Sequence, residues 1–509
     1  MAEKRDEIFD LFIIGGGING VGIARDAAGR GLSVALCDQA DLGGATSWTS
    51  SKLIHGGLRY LELYEFRLVR ESLAEREVLL RIAPHLVRPL RFVLPHVREL
   101  RPAWMIRTGL FLYDHLSRRV TLPGSEGLDL RHSPLGAGLK PSLRKGFAYS
   151  DCLVDDARLV IATARDAARR GAQVMVRTAF IGAEPADGIW QVSLEDRDTH
   201  ARTTLSTRVL VNVAGPWVTQ TQASIKGARP GRKIRLVKGS HIVVPQVHDG
   251  SHAYILQNDD GRVVFIMPFE GRYSLIGTTE VEVEEPGDAT ISADETHYLC
   301  RAVDRYLARP VRAEDVVWNY AGLRPLFGDG EGSLSAITRD YELDLDTVNG
   351  TTPALTVYGG KITTYRRLAE HVLDKLKPFL PHMREVWTDS TPVPGGDIPN
   401  GDISALVTEL TREYSALPST LHNNLAHRHG TLARELLGEA AKLEDLGEHF
   451  GAGLYAREVD YLIEHEWAQT ADDILWRRTK AGVDMNNDER ARVQAYLASQ
   501  PAVVRTNRN

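Results

Sequence analysis

Cysteine is nearly missing from this chain: Cys37, Cys152 and Cys300 are all it has in 509 residues. They lie far apart and form no C-x-x-C pair. That excludes a disulfide scaffold and a thiolate zinc site, and it fits a reducing compartment. No apolar run reaches the ~18 to 20 residues that cross a bilayer. The N-terminus, MAEKRDEIFD, mixes acids with bases and has no apolar stretch, so no signal peptide is expected. A basic excess is missing too, and the net charge of −6 argues against a dedicated nucleic-acid binder. There is no G-x-x-x-x-G-K-[ST] loop, so nucleoside triphosphate hydrolysis is not expected. Internal repeats and low-complexity tracts are also lacking. What remains is an ordinary globular composition, 43% hydrophobic and 25% charged, in a chain long enough for about two to four domains.

The first positive signal lies near the N-terminus. IFDLFII, residues 8–14, reads as a buried strand and runs into Gly15-Gly16-Gly17-Ile18-Asn19-Gly20. The following VGIARDAAGRG has helical apolar spacing and a glycine stop, and a second strand, SVALCD, ends in Asp38. This is G-x-G-x-x-G in its required setting, with an acidic residue about 20 positions on. Gly15 permits the tight turn, Gly17 lets a pyrophosphate reach the backbone, and Gly20 lets helix and strand pack closely. Unpaired N–H groups at the helix start face the phosphates, beside Asn19, and Asp38 accepts from ribose hydroxyls.

Asp38 is followed by DLGGATSWTSSK, a small-residue loop able to line an extended cofactor, with Thr46, Ser47, Ser51 and Lys52 as candidates. Far downstream, ALTVYGG and KITTYRRLAEH read as strand, Gly-Gly turn and helix, with Gly360, Lys361, Ile362, Thr363 and Thr364 at the junction. A second helix N-terminus there can stabilise negative charge on a flavin ring. Two contacts separated by this much chain suit FAD better than NAD. No cysteine or histidine directly precedes YGGKIT, so FAD is expected to be noncovalent.

These residues carry a resemblance. GGGINGVGIARDAAGRGLSVALCDQADLGGATSWTSSKLIHGGLRYLE is similar to the N-terminus of the FAD-dependent glycerol-3-phosphate dehydrogenases. The similarity continues through KGSHIVVP, IGTTE, AGLRPL, ITRDY, YGGKITTYRRLAEH and DLGEHFGAGLYAREVDYLIEHEWAQTADDILWRRTK. The mitochondrial branch of that family is longer and has calcium-binding EF-hands. Here Asp484, Asn486 and Asp488 imitate the start of such a loop, but Glu489 and Ala495 stand where glycine and glutamate are needed. His427, His429 and the His465-Glu466 pair have no third ligand at metal spacing, so no metal is expected. The chain thus resembles the bacterial respiratory branch.

The resemblance implies oxidation of sn-glycerol 3-phosphate to dihydroxyacetone phosphate by hydride transfer to FAD. Electrons would then pass to ubiquinone or another membrane quinone. An oxidase that uses dioxygen and a noncatalytic flavoprotein are the alternatives. It places SKLIHGGLRYLE, residues 51–62, at the substrate face of the flavin, with Gly56 and Gly57 beneath the ring. Arg59 and Tyr60, with Arg324, Arg339 and Lys361, are the candidate phosphate site, because a buried dianion needs several cations and guanidinium offers a fixed fork. His55 and His241 are the candidate bases for the hydroxyl proton, and Arg324 can lower that hydroxyl's pKa. The choice of base stays open. A homodimer is also expected.

The fold class expected is α/β: a Rossmann-like FAD-binding domain, an inserted antiparallel-sheet substrate domain and a C-terminal all-α domain. The FAD domain is assigned to 1–90, 146–225 and 346–388. HIVVP, AYILQNDDGRVVFIMP and GRYSLIGTTE mark the substrate domain, 226–345, by alternation and turns. A Pro/Gly/Asp linker spans 389–402 and the helical domain 403–509. Asp155-Asp156 reads as a helix cap and first-turn acid. Within 91–145, RELRPAWMIRTGLFLYDHLSRR holds an apolar band from Trp104 to Tyr113 flanked by arginines. This band is expected to bind an anionic membrane surface on the cytoplasmic side of the bacterial inner membrane, without spanning it. The competing reading is a core helix.

Overall fold

The computed structural model describes residues 8–97, 101–287, 289–327 and 340–500. The strand Ile8–Ile14 lies between Val34–Cys37 and Arg202–Asn212, parallel to both. Its side chains alternate between two apolar layers. Leu11 and Ile13 enter the core shared with the helices Ile18–Gly29, Asp156–Arg169 and Tyr365–Leu376. Phe9, Phe12 and Ile14 face the hairpin of Thr178–Ala186 and Ile189–Asp196, around the fully buried Trp190. A strand covered on both faces reads as a nearly continuous apolar run; in IFDLFII only Asp10 breaks it, buried and accepting from the Ser33 N–H and hydroxyl. Gln173–Met175 and Thr352–Tyr358 extend the parallel sheet on its two sides.

The second sheet has ten strands and is antiparallel apart from one pairing. Its centre is the run Ile234–Pro245, Tyr273–Gly277, Val263–Phe269 and Ala253–Gln257, with Trp318–Phe327 on the free edge of Ile234–Pro245. The segments expected to be antiparallel are those strands. The division of the chain between the sheets differs from the expected boundaries. Leu53–Ile54, Val87–Pro95 and Lys145–Val154 belong to this second sheet, and Glu342–Val348 belongs to the first. The junction is the parallel pairing of Ala253–Gln257 with Val87–Pro95. Such long-range registry leaves no local mark in the sequence.

The C-terminal domain is helical, as expected, with one small hairpin of His449–Gly451 and Leu454–Tyr455. Asn486 caps the helix Asn487–Ser499 through a capping box with Glu489, so the calcium-like acidic run is a helix start. The stretch expected to be a linker packs tightly. Val393 is buried and its N–H donates to the Ile82 carbonyl, while the Thr391 carbonyl accepts from Arg25. A Cβ on Gly395 would stand 2.2 Å from the His429 carbonyl oxygen, so the glycines serve close backbone approach and not flexibility.

The domain is fastened to the first sheet by buried ion pairs. Arg158, on the helix Asp156–Arg169, grips Glu466 with both terminal nitrogens, one at 2.9 Å. Burial alone would raise the Glu466 carboxyl, but the Arg158 charge outweighs it and brings it down to about 2. A carboxyl held below its unfolded value of about 4.3 stabilises the fold above that pH, and the gain is lost as pH falls through about 2. Glu466→Ala is expected to lower stability by about 3–5 kcal/mol, because Arg158 is left charged and buried. The pair Arg158→Met with Glu466→Leu should recover most of it, read from denaturant midpoints at pH 7 and pH 3.

Candidate active site

The C-terminal ends of the parallel strands and the second sheet enclose a cavity of about 860 Å³, within the usual range for a cofactor pocket. Gly15, Gly17, Asn19 and Asp38 line its first end. Gly15 has φ +115°, and a Cβ there would stand 2.6 Å from the Val213 carbonyl oxygen. Gly20 does not reach the cavity. A Cβ on it would come within 1.9 Å of the Gly15 carbonyl oxygen, so it serves the close helix–strand packing. The Asp38 carboxylate accepts from the Gly16 N–H at 2.7 Å and the Ala40 N–H at 2.8 Å. Burial pushes it up to about 6.

The loop after Asp38 runs along the cavity, where Thr46, Ser47 and Ser51 line it. Ser47 Oγ accepts from the Ile18 N–H at 3.0 Å, at the start of the first helix. Thr46 Oγ1 donates to the Leu323 carbonyl of the second sheet. Lys52, expected at the cofactor, is elsewhere. Its ammonium is buried against Asp156 at 2.8 Å and lies over the Tyr320 ring, so a structural ion pair consumes the charge. At the far end, Gly360, Lys361, Ile362 and Thr363 line the cavity. Ile362–Thr364 forms a 3₁₀ turn before the helix Tyr365–Leu376, and Thr364 is buried behind it.

His55, Arg59, Tyr60, His241 and Arg324, drawn from three regions of sequence, also line the cavity. The Lys361 ammonium sits 3.7 Å from the Tyr60 ring centroid, a cation–π contact. Arg324 donates to Thr278 Oγ1 at 2.9 Å and lies 3.6 Å from Glu280. His241 shares a hydrogen bond with Ser51 Oγ at 3.0 Å and stacks on Tyr320. Burial, then the charges of Arg324 and Lys52, push its imidazole well below its usual range, so it is neutral at physiological pH. Arg339 lies outside the described residues.

Gly56 is turned away from the cavity. Its N–H donates to the Tyr113 hydroxyl at 2.8 Å, and that hydroxyl donates to Asp151, which Arg76 holds at 2.6 Å. A Cβ on Gly56 would strike Leu73 and Tyr113, so the glycine admits the helix Ala103–His115 and not the ring. Gly57, with φ +76°, does line the cavity. Glu280, Thr278 and Asp340 also line it and were not foreseen. All three fall inside motifs of the resemblance, Thr278 and Glu280 in IGTTE and Asp340 in ITRDY.

The glycine cradles at both ends, over 300 residues apart along the chain and joined by one cavity, fit a long dinucleotide. A family described as FAD dependent oxidoreductase matches residues 10–366, and one described as the C-terminal domain of alpha-glycerophosphate oxidase matches 386–498. A glycerol-3-phosphate dehydrogenase of Pseudomonas aeruginosa is 52% identical over 97% of this chain and 96% of its own. The chain belongs to the FAD-dependent glycerol-3-phosphate dehydrogenase family. The aerobic glycerol-3-phosphate dehydrogenase of Escherichia coli is 50% identical over 96% of this chain and 97% of its own. The D-erythritol 1-phosphate dehydrogenase of Brucella abortus has the same identity and coverage. A crystal structure of the Bacillus halodurans glycerol-3-phosphate dehydrogenase complexed with FAD superposes with a TM-score of 0.75 at 25% identity, covering 98% of this chain and 95% of that one. This family uses FAD, so the cofactor's two ends have matching cradles in this chain.

Asp38 gives the nucleotide end a measurable signature. In its expected role at the ribose, the ionised Asp38 carboxylate would accept from ribose hydroxyls, so binding would favour deprotonation of a group that burial pushes up to about 6. FAD affinity is expected to rise about tenfold from pH 5 to pH 7, roughly one pKa unit of linkage. Asp38→Asn should bind more weakly and lose that slope, measured by flavin fluorescence quenching.

Proposed function

We propose that this protein oxidises sn-glycerol 3-phosphate to dihydroxyacetone phosphate and delivers the electrons to a membrane quinone at the cytoplasmic face of the bacterial inner membrane. The supporting observation is that Arg59, Arg324 and Lys361 all line the FAD cavity. A dianionic phosphate needs that charge, and the two guanidinium groups give it paired donors. Bound FAD supplies the two-electron acceptor for the C2 hydride. Arg324 also favours the alkoxide by its charge. His55 and His241 both line the cavity and are the candidates for the hydroxyl proton; His241 is hydrogen-bonded to Ser51, while the burial and neighbouring charges that keep it neutral also weaken it as a base. Arg339 is retained in the phosphate site on the family resemblance alone.

Arg59→Ala and Arg324→Ala are each expected to lower kcat/KM for glycerol 3-phosphate by at least ~10²-fold, since a charge-assisted contact contributes about 1.5–3 kcal/mol and more when buried. Turnover of glycerol, which has no phosphate, should fall much less. Equal losses would mean that the arginines support the fold or the flavin. D-Erythritol 1-phosphate, with the same phosphate on a longer polyol, is the competing substrate to compare in anaerobic flavin bleaching.

The membrane part rests on the helix Ala103–His115. The expected apolar band divides in two. Ile106, Leu110 and Tyr113 are buried, whereas Trp104 is 68% exposed and Phe111 58%, with Met105 and Leu112 also outside. Tyr64 and Phe66 add exposed apolar surface near the start of the preceding helix, Phe66–Ile82. Exposed aromatics beside Arg107, Arg118 and Arg119 suit an interface with anionic lipid. No helix among the described residues is long and apolar enough to cross a membrane. Through Tyr113, on its buried side, the same helix touches Gly56 of the substrate loop. Changing Trp104, Phe111 and Leu112 to Ser should release the enzyme from anionic vesicles in sedimentation. Soluble-dye turnover should survive while quinone reduction in membranes falls.

A further inference from the structure

The motif DDILWRRTK in the C-terminal domain takes no part in the cavity wall, yet its basic side chains converge on the loop that does. Arg478 is 0% exposed and holds both oxygens of Asp41, at 2.7 and 2.8 Å. Arg477 Nε adds a third bond to Asp41 at 2.6 Å. Arg478 also donates to the Glu466 carbonyl at 2.6 Å, and Arg477 is braced by Asp473, which fixes both guanidinium groups. Asp41 opens the stretch whose residues 43–47 line the cavity, and its carbonyl accepts from the Gly44 N–H at 3.0 Å.

The other end of the loop is held from the same motif. Lys480 pairs with Asp155, whose side chain caps the helix Asp156–Arg169. The adjoining Asp156 accepts from Ser50 Oγ at 2.7 Å, from the Ser50 N–H at 3.2 Å and from Lys52 at 2.8 Å. Between the two anchors, Trp48 lies under the Arg477 guanidinium and against Trp318, which stacks on Trp476 of the motif at 5.0 Å.

We propose that Arg477, Arg478 and Lys480 are positioning residues that clamp both ends of the cofactor loop 41–52, so that the C-terminal domain sets how tightly FAD is held. The loop has no sheet or helix ladder of its own. Its conformation depends on these charges: Arg477 and Arg478 reach Asp41 directly from 436 and 437 residues away, while Lys480 acts on the other end through Asp155 and the adjoining Asp156. Because the anchors are buried and mutually braced, they hold the backbone of 43–51 in the one arrangement that faces the cavity. The proposal rests on FAD occupying this cavity and does not depend on which alcohol or electron acceptor is used.

The test is the rate at which the diluted holoenzyme releases FAD, followed by the return of free-flavin fluorescence. Arg477→Met and Arg478→Gln are expected to release FAD at least tenfold faster than the parent, and Lys480→Met at least threefold faster. Added FAD should restore kcat with KM for glycerol 3-phosphate little changed, and Arg478→Lys should restore part of the retention. Arg434→Met, which breaks the pairs with Glu409 and Glu413 inside the same domain, is the control and should release at the parent rate. The clamp is overturned if folded Arg477→Met and Lys480→Met release FAD within twofold of the parent, or if Arg434→Met accelerates release as much as they do. If Arg478→Gln does not fold, the other two variants decide by the same criterion. Failure of the glycerol 3-phosphate reading would leave these rates untouched.

Discussion

A cofactor loop that presents backbone and small side chains to a ligand has little means of holding itself in place, and here that burden falls on Asp156. Its carboxylate receives the Ser50 hydroxyl and N–H and the Lys52 ammonium while it sits in the first turn of a buried helix. The favourable dipole at the helix start and the Lys52 charge compensate for its removal from water. Loop, helix and second sheet therefore meet at one buried carboxylate, and the neighbouring Asp155 extends the connection into the C-terminal domain.

The same device recurs on the substrate side. Asp151 is fully enclosed and gathers Arg76, the Tyr113 hydroxyl and, more distantly, the Gly56 N–H. Burial raises its pKa while Arg76 opposes the shift. The result is a rigid link from the second sheet through the exposed amphipathic helix to the glycine beside His55. The helix turns Trp104 and Phe111 outward while its other side is attached to the second sheet. Ile106, Leu110 and Tyr113 provide that attachment with packing and one hydrogen-bond chain.

Charge placement in the cavity follows a division of labour. Arginines that pair with acids in the interior, such as Arg158 and Arg478, are structural, and their partners hold them in fixed geometry. Arg59, Arg324 and Lys361 line the cavity, and Arg324 donates to the Thr278 hydroxyl and the Thr279 carbonyl and lies 3.6 Å from Glu280.

Much of this molecule was legible from local pattern. The Gly15–Gly20 turn, the alternating strands around His241, the second Gly-Gly turn before Lys361 and the Asp155 cap are local events, governed by backbone freedom and side-chain period, so they appear in short windows. The grouping of His55, Arg59, His241 and Arg324 was suggested by family resemblance, and each of these residues lines the cavity. The roles of Lys52, Gly56 and the 389–402 stretch were decided only in three dimensions. Lys52 looks like a ligand-binding cation until Asp156, 104 positions away, takes its charge. Gly56 looks like a floor for the ring until Tyr113 occupies the space a side chain would need. The proline- and glycine-rich stretch reads as a tether until its glycines meet the His429 and Ile82 carbonyls. In each case the residue's partner is remote in sequence. Buried charge and close backbone contact are set by which surfaces meet, and local pattern carries no record of that meeting.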